Sequence, residues 1–455
     1  MKMQLTEIAR ALGVQVPEQW QEVTVTSVCF DSRQLKPGAL FVPLLGETDG
    51  HNYLANAYEK GAAATLWQAD HENYPTQLPA LIVHDTLKAL QRLGKYYLQK
   101  INPKVVAVTG SNGKTTTKDM IAAVLQEKYN VQKTYANFNN EIGVPLTCLS
   151  MEPNTEILVV EMGMDHFGQL DELSRLVEPD VAVITMIGEA HIEFFQTRAR
   201  IADAKMEIIH GLKEDGWLIY NGDEPLLTSR CKQLDNQQAT FGLSDTNTLW
   251  AKDIISQATQ THFKTAGWFE EEFMIPMIGQ YNVNNALAAL CVGRKFHVKP
   301  KEMQQALAKV SLTKNRTQWL TAFNDAKILS DVYNSNPTAC KEVLRAFQEV
   351  NVAGKRLVVL GDMLELGDDA AKMHADLADE IDSAKISDVY LCGELMQNLG
   401  QALQAKFAPK AIHQYAKEDK AQLASELKDN LTSADAVMLK GSHGIHLEEI
   451  VAQLV

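Results

Sequence analysis

From Lys104 onward, short apolar runs alternate with segments whose apolar residues recur every three or four positions. KVVAVTG, EILVVEMG, PDVAVITM and GWLIYNGD are continuous apolar runs of strand length, the pattern of strands buried on both faces of a parallel sheet. Helical patterns lie between them, predicted over about 114–128, 167–177 and 197–213. This βα alternation implies a doubly wound sheet. Residues 237–276 read as richer in strand, and helices over about 281–297 and 300–310 close the unit. A second alternation begins near 313, where AKILSDVY, RLVVLGD, SDVYLCG and DAVMLKG predict strands and helices start near Pro337, Asp368 and Glu394. Pro337 suits a first helical turn, where its missing N–H costs nothing.

The beginning of the chain reads differently. Leu5, Ile8, Ala9 and Leu12 mark a short helix, and Val23 to Phe30 a β-like run followed by the turn-rich LKPGALFVPLLGETDGH. Ala55 to Gly61 reads as a helix stopped by glycine, and LIVHD as a strand. Leu87, Leu90, Leu93 and Leu98 give Thr86 to Lys100 a helical face, which Asn102-Pro103 ends. The expected fold class is α/β with three domains. These are a small mixed α/β domain over 1–84, a central doubly wound domain over 85–312 and a smaller Rossmann-like domain over 313–455.

Charge narrows the ligands. A net charge of -14 lacks the broad positive field that nucleic-acid binding needs, so none is expected, and an anionic ligand must be held by local geometry. The six cysteines form no C-x-x-C pair, which argues against a zinc or redox motif and fits a reducing compartment. Glu7 and Arg10 stand where a signal peptide needs an apolar core, and no run approaches the roughly 18 apolar residues of a membrane span. A cytoplasmic protein is expected. Nothing in the chain demands an oligomer, so a monomer is expected too.

The most informative stretch is Thr109-Gly-Ser-Asn-Gly-Lys-Thr-Thr-Thr117, which follows an apolar strand and opens a helix. Glycines let the backbone fold round phosphate oxygens, and N–H groups at the helix start point at the anion. Gly110, Ser111, Asn112, Gly113, Lys114, Thr115 and Thr116 are therefore expected to hold a nucleotide phosphate chain, with Lys114 neutralising its oxygens and the Thr115 hydroxyl on Mg²⁺. Val108 occupies the first glycine position of the full P-loop pattern. Glu161 and His191 follow neighbouring strands, at the edge where open α/β sheets gather ligands. From spacing alone Lys205, in a helical run, reads as a surface lysine. Asn282 and Asn285 read equally as contacts to a nucleotide base or as helix caps. Polar residues end three strands of the last unit, in Asp331-Val-Tyr-Asn-Ser-Asn-Pro337, Gly361-Asp-Met363 and Lys440-Gly-Ser442, and suggest a binding face.

Together these residues resemble the Mur ligase family, the ATP-dependent amide-forming enzymes of peptidoglycan precursor synthesis, over nearly the whole chain. TGSNGKTTT is similar to the family's ATP loop, and Asn137-Phe-Asn-Asn-Glu-Ile-Gly-Val-Pro145, containing Asn140, to its substrate loop. The resemblance implies metal ligation by Glu161 and His191, and it reads Lys205 as the lysine that CO₂ converts to a carbamate able to hold a second Mg²⁺. It implies adenine contacts by Asn282 and Asn285 and ribose contacts by Arg316 and Asp331. Phe30-Asp-Ser-Arg33, with Ser32 and Arg33, resembles the UDP-binding domain of the family's late-acting members. DVYNSNP, GDMLELG and KGS are similar to the branch that joins D-alanyl-D-alanine to UDP-N-acetylmuramoyl-tripeptide, implying substrate contacts by Asn334, Asn336 and Ser442. The Asp-Asn-Pro-Arg signature of the sister branch that adds diaminopimelate is absent, although a diaminopimelate or lysine adder is the nearest alternative. Met186 and His443 stand where the family commonly has Asn and Arg. Closure of the last domain onto ATP is expected, since the ribose ligands and the loop lie on different domains. A P-loop GTPase is the alternative of another class, and the chain lacks the guanine-selecting Asn/Thr-Lys-x-Asp motif.

Overall fold

A computed structural model describes residues 1–72, 74–311, 313–314 and 316–455. The central sheet is ordered Glu272–Ile275, Thr261–Gly267, Leu249–Ser256, Gln237–Gly242, Trp217–Asn221, Val181–Ile184, Lys104–Thr109, Ile157–Glu161 and Val131–Lys133. The six strands from Gln237–Gly242 to Val131–Lys133 are parallel, and the β-rich insertion adds antiparallel pairs at the other edge. Val105 and Ala107 enter the core on one face, Val106 and Val108 the core on the other, which is why the strand carries no polar alternation. Helices Lys114–Gln126 and Gln280–Lys295 cover the second face. Sequence order reverses around Lys104–Thr109: later strands lie on both sides of it, so their C-terminal ends flank a topological switch point.

The last domain has a sheet ordered Gln318–Thr321, Lys327–Asp331, Ala436–Lys440, Arg356–Gly361, Asp388–Cys392 and Ile412–Tyr415, parallel except at the first edge. Separate cores fill its two faces. The domain boundary expected after residue 312 falls on Leu312, outside the described residues.

In the N-terminal domain the expected single run from Val23 to Phe30 is two strands. Thr24–Val25 pairs with Met3–Gln4, and Ser27–Cys29 joins a parallel sheet with Ala39–Phe41, Ala64–Gln68 and Ala80–Val83. The break comes where the Thr26 N–H donates to the Gly38 carbonyl. Ala39–Phe41, inside the turn-rich stretch, is fully buried. Helix Thr86–Ile101 packs against helix Leu5–Leu12 and against helix Gly143–Leu149, with Gly94 so close that a Cβ there would stand 2.8 Å from the Pro145 Cβ. One continuous core therefore runs from Met3 to Cys231, through the N-terminal domain and one face of the central sheet. Among the described residues no helix is long and apolar enough to cross a membrane.

Candidate active site

The parallel register sets Val108 beside Glu161 and Thr109 beside Ile184, so the loop after Thr109 is flanked by two strand ends. The neighbours anchor it. Ser111 N–H donates to the Met186 carbonyl, the Thr185 hydroxyl to the Asn112 carbonyl at 2.5 Å and the Thr109 hydroxyl to the Met162 carbonyl. Gly110 has φ +152°, and a Cβ there would fall 1.8 Å from the Thr185 hydroxyl, so only glycine fits. Gly113, at φ +80°, caps the helix that begins at Lys114.

A cleft of about 480 Å³ opens at this loop. Ser111 to Thr115, Asn140, Glu161, His191, Arg316 and Asn334, all expected from the sequence, line it together. Lys114 Nζ donates to the Gly110 carbonyl at 2.8 Å. Burial lowers its pKa to about 8, with Glu161 opposing and Arg316 adding to the shift. Glu161 is 1% exposed. Its Oε1 accepts from Asn139 Nδ2 at 2.8 Å, while its buried Oε2 has no hydrogen-bond partner among the described residues. A buried carboxylate oxygen free of hydrogen bonds among the described residues, 3.7 Å from Lys118 Nζ and in the cleft that Thr115 also lines, fits the oxygen-rich demand of Mg²⁺. His191 Nδ1 lies 2.6 Å from the Glu365 carboxylate, which lowers the Glu365 pKa.

Lys205 is a correction to the surface reading of its spacing. The side chain is 2% exposed, and its amine makes no hydrogen bond or ion pair among the described residues. Burial, reinforced by the Lys114 ammonium, holds its pKa well below the usual lysine range. The helix there is also shorter than expected, Arg198–Met206 followed by a 3₁₀ turn to Gly211.

Thr116, Asn282, Asn285, Arg316 and Asp331 share a narrow cleft of about 60 Å³ beside the loop. Gly279 caps the helix, so the asparagines do not; a relay runs instead from the Thr117 hydroxyl to Asn285, from Asn285 to Asn282 and from Asn282 to the Ile278 carbonyl. Glu342, which the sequence reading missed, lines this cleft and a neighbouring one, and burial raises its pKa to about 7. Arg316 lies over the Tyr333 ring, 3.9 Å from its centroid. Asp331 accepts from the Thr317 N–H and from Lys440 Nζ.

The three polar strand ends of the last domain tie to one another and to the loop. Ser442 is buried, its hydroxyl accepting from the Leu364 N–H and donating to the Ser335 carbonyl. Asn336 caps helix Pro337–Gln348 and exchanges two amide hydrogen bonds with Asn112, at 2.7 and 3.1 Å. Glu189 accepts from the Thr338 N–H and hydroxyl, making a second bridge between the domains.

Ser32 and Arg33 lie apart from this cleft. Ser32 is buried, and the Arg33 side chain, 86% exposed, forms a two-pronged pair with Asp31 at 2.9 Å. Their neighbours Phe30, Asp31 and Gln34 line a second cleft of about 500 Å³, whose far wall holds Tyr135 and Phe138 of the central domain. The nearby group of Asp49, His51 and His71 is a hydrogen-bonded staple. His51 Nε2 accepts from the Gln68 N–H, which places the ring proton on Nδ1, facing Asp49 at 2.7 Å.

Three sequence-family descriptions match this chain in order: Mur ligase family, catalytic domain, over residues 24–98; Mur ligase middle domain over 108–293; and Mur ligase, glutamate ligase domain, over 315–443. A UDP-N-acetylmuramoyl-tripeptide–D-alanyl-D-alanine ligase of Bacillus subtilis is 42% identical over 444 residues, covering 97% of this chain and 96% of that one. The chain belongs to the Mur ligase family. The Escherichia coli ligase of the same name is 30% identical to this Mur ligase, covering 96% and 95% of the two chains. Among solved structures, MurF from Acinetobacter baumannii superposes with a TM-score of 0.88 at 26% identity, covering 100% of this Mur ligase and 99% of that chain. MurF ligase from Thermotoga maritima, in complex with ADP, gives 0.81 at 27% identity, covering 94% and 97%.

Proposed function

We propose that this Mur ligase joins the amino group of D-alanyl-D-alanine to the terminal carboxylate of UDP-N-acetylmuramoyl-tripeptide, converting ATP to ADP and phosphate, in the cytoplasm. The observation that carries the reading is one cleft holding the glycine-rich loop, a buried glutamate with an oxygen free of hydrogen bonds among the described residues, and residues of the last domain. Full-length likeness to relatives of that name supports the choice of substrates.

A carboxylate is a poor electrophile in water. Transfer of the γ-phosphoryl group of ATP to it gives an acyl phosphate and ADP; the amine then attacks the acyl carbon, and the tetrahedral intermediate expels phosphate as the amine loses a proton. Phosphoryl transfer depends on positioning and charge neutralisation rather than on a protein nucleophile. Lys114 and the loop N–H groups supply both, with Asn282 and Asn285 on the adenine side and Arg316 and Asp331 on the ribose side. Glu161, Thr115 and His191 would hold Mg²⁺, which when bound neutralises charge on the transferring group. Burial and the Lys114 ammonium lower the pKa of the partnerless Lys205 amine, which favours the unprotonated form that adds CO₂, and the resulting carbamate would give a second Mg²⁺ hard oxygen ligands. Asn140 is assigned to the muramoyl substrate, and Asn334, Asn336 and Ser442 to the dipeptide end, Ser442 through the strand-end network it holds. The UDP end is assigned to the N-terminal cleft. Phe30 and Phe138 meet edge to face there, with ring centroids 6.4 Å apart, and Lys36 lines the same cleft; Ser32 and Arg33 are assigned to it through their lining neighbours Asp31 and Gln34. Closure of the last domain over ATP would keep water from the acyl phosphate.

The test is purified protein with ATP, UDP-N-acetylmuramoyl-tripeptide and either D-alanyl-D-alanine, diaminopimelate or lysine, read by product mass and phosphate release. Product with the dipeptide alone is expected, and Lys114→Ala should abolish it. Product only with a diamino acid would replace this reading by the sister activity.

A further inference from the structure

Lys118 lies one helical turn beyond Lys114, fully buried at 0% exposure. Its Nζ donates to the Thr134 carbonyl at 3.0 Å and to the Ala136 carbonyl at 3.4 Å. It also stands 3.7 Å from Glu161 Oε2 and 3.7 Å from Asp119, whose carboxylate is shared with Lys133 at 2.5 Å. An ammonium without water must satisfy its donors and its charge locally, and here the donors go to backbone while the charge faces the glutamate.

The backbone it grips is unusual. Ala136 has φ +48°, a left-handed conformation that side chains other than glycine adopt at a cost. The same segment is fastened to Glu161 twice more: the Thr134 hydroxyl accepts from the Glu161 N–H at 2.9 Å, and Asn139 donates to Oε1. Beyond these anchors the segment divides its side chains between two sites. Tyr135, 76% exposed, and Phe138 border the N-terminal cleft, whereas Asn139 and Asn140 border the nucleotide cleft.

We infer that Lys118 is a positioning residue for the muramoyl substrate: it holds segment 134–140 in the strained shape that spans the two clefts. This rests on the function proposed above. Its effect passes through the segment, so it governs binding of the long UDP-linked substrate and leaves the triphosphate grip, made by Lys114 and the loop N–H groups, intact.

Full-length wild type and Lys118→Met are compared by steady-state kinetics with each substrate varied, and by hydrogen exchange of segment 134–140. The expected result is a KM for the UDP-linked substrate raised about tenfold or more, from loss of charged hydrogen bonds, with the KM for ATP within about threefold of wild type. Faster exchange of 134–140 accompanies it. An unchanged KM for the UDP-linked substrate, or both KM values rising together, overturns the inference. If Lys118→Met does not fold, exchange in the wild type decides. Amides of 134–140 as slow as those of helix Lys114–Gln126 support the clamp, and amides as fast as an exposed loop overturn it. Wild type inactive with the UDP-linked substrate would defeat the proposed function, while the exchange measurement still decides whether Lys118 holds the segment.

Discussion

Replacing Lys440 by methionine gives a sharp test of how the last domain builds its polar face. Lys440 is 2% exposed, and its Nζ donates to Asp331 Oδ2 at 2.5 Å and to the Asn334 carbonyl at 2.9 Å. Methionine fills much of the same volume and removes the charge, leaving Asp331 a mostly buried carboxylate with the Thr317 N–H as its remaining donor among the described residues. Breaking a buried pair by deleting one partner costs about 3–5 kcal/mol, because the surviving charge is uncompensated. At an m-value of about 2 kcal/mol/M, the urea midpoint of this domain should fall by about 1.5–2.5 M. Urea-dependent hydrogen exchange in strands Lys327–Asp331 and Ala436–Lys440 isolates the domain from the rest of a multidomain chain. The double variant Lys440→Met/Asp331→Asn removes the orphaned charge and keeps an acceptor for the Thr317 N–H, so most of the loss should return, while ATP use stays impaired if Asp331 contacts ribose. A single variant that loses less than about 1 kcal/mol, or a double variant no better than the single, would refute the reasoning.

Three further outcomes are expected. The KM for ATP should climb as pH rises through about 8, where Lys114 loses its proton; over the same range stability should increase, because the cost of burying the ammonium, fully present below about 8, is lifted between about 8 and the ordinary value of 10.5. A KM flat to about pH 9.5 would count against the lysine's role. Lys205→Ala should cripple turnover, with partial rescue by short carboxylates in place of the carbamate; wild-type activity would return the residue to a structural part. Asn336→Ala removes a helix cap and the pair with Asn112, and should cost about 1–2 kcal/mol in a denaturation experiment and weaken ATP binding.

The parallel core of the central sheet and most of its helices were legible because continuous apolar strands and amphipathic helices leave different periods in the sequence. Less visible were elements whose burial comes from partners far along the chain. Ala39–Phe41 sits among turn residues, and Thr24–Val25 and Ser27–Cys29 read as one strand, because a break between two sheets is made by a distant carbonyl, that of Gly38. In the candidate site, the loop from Gly110 to Thr116 carried its own signal, since its chemistry is contiguous. Lys205 did not: spacing places a lysine on a helix but says nothing of what covers it. Lys118 and Glu342 were missed for the same reason, their significance lying wholly in the backbone and carboxylates brought against them by the fold.

The single core that joins Met3 to Cys231 has a consequence for how the chain is made. The first small sheet, which ends at Val83, leaves the ribosome with one greasy side that the central domain finishes covering only about 150 residues later, at Cys231. At a synthesis rate of about 5–20 residues per second, that side waits roughly seven to thirty seconds for its full cover. During this interval the nascent segment is a natural client for a chaperone, and slow codons placed before residue 231 would lengthen its exposure.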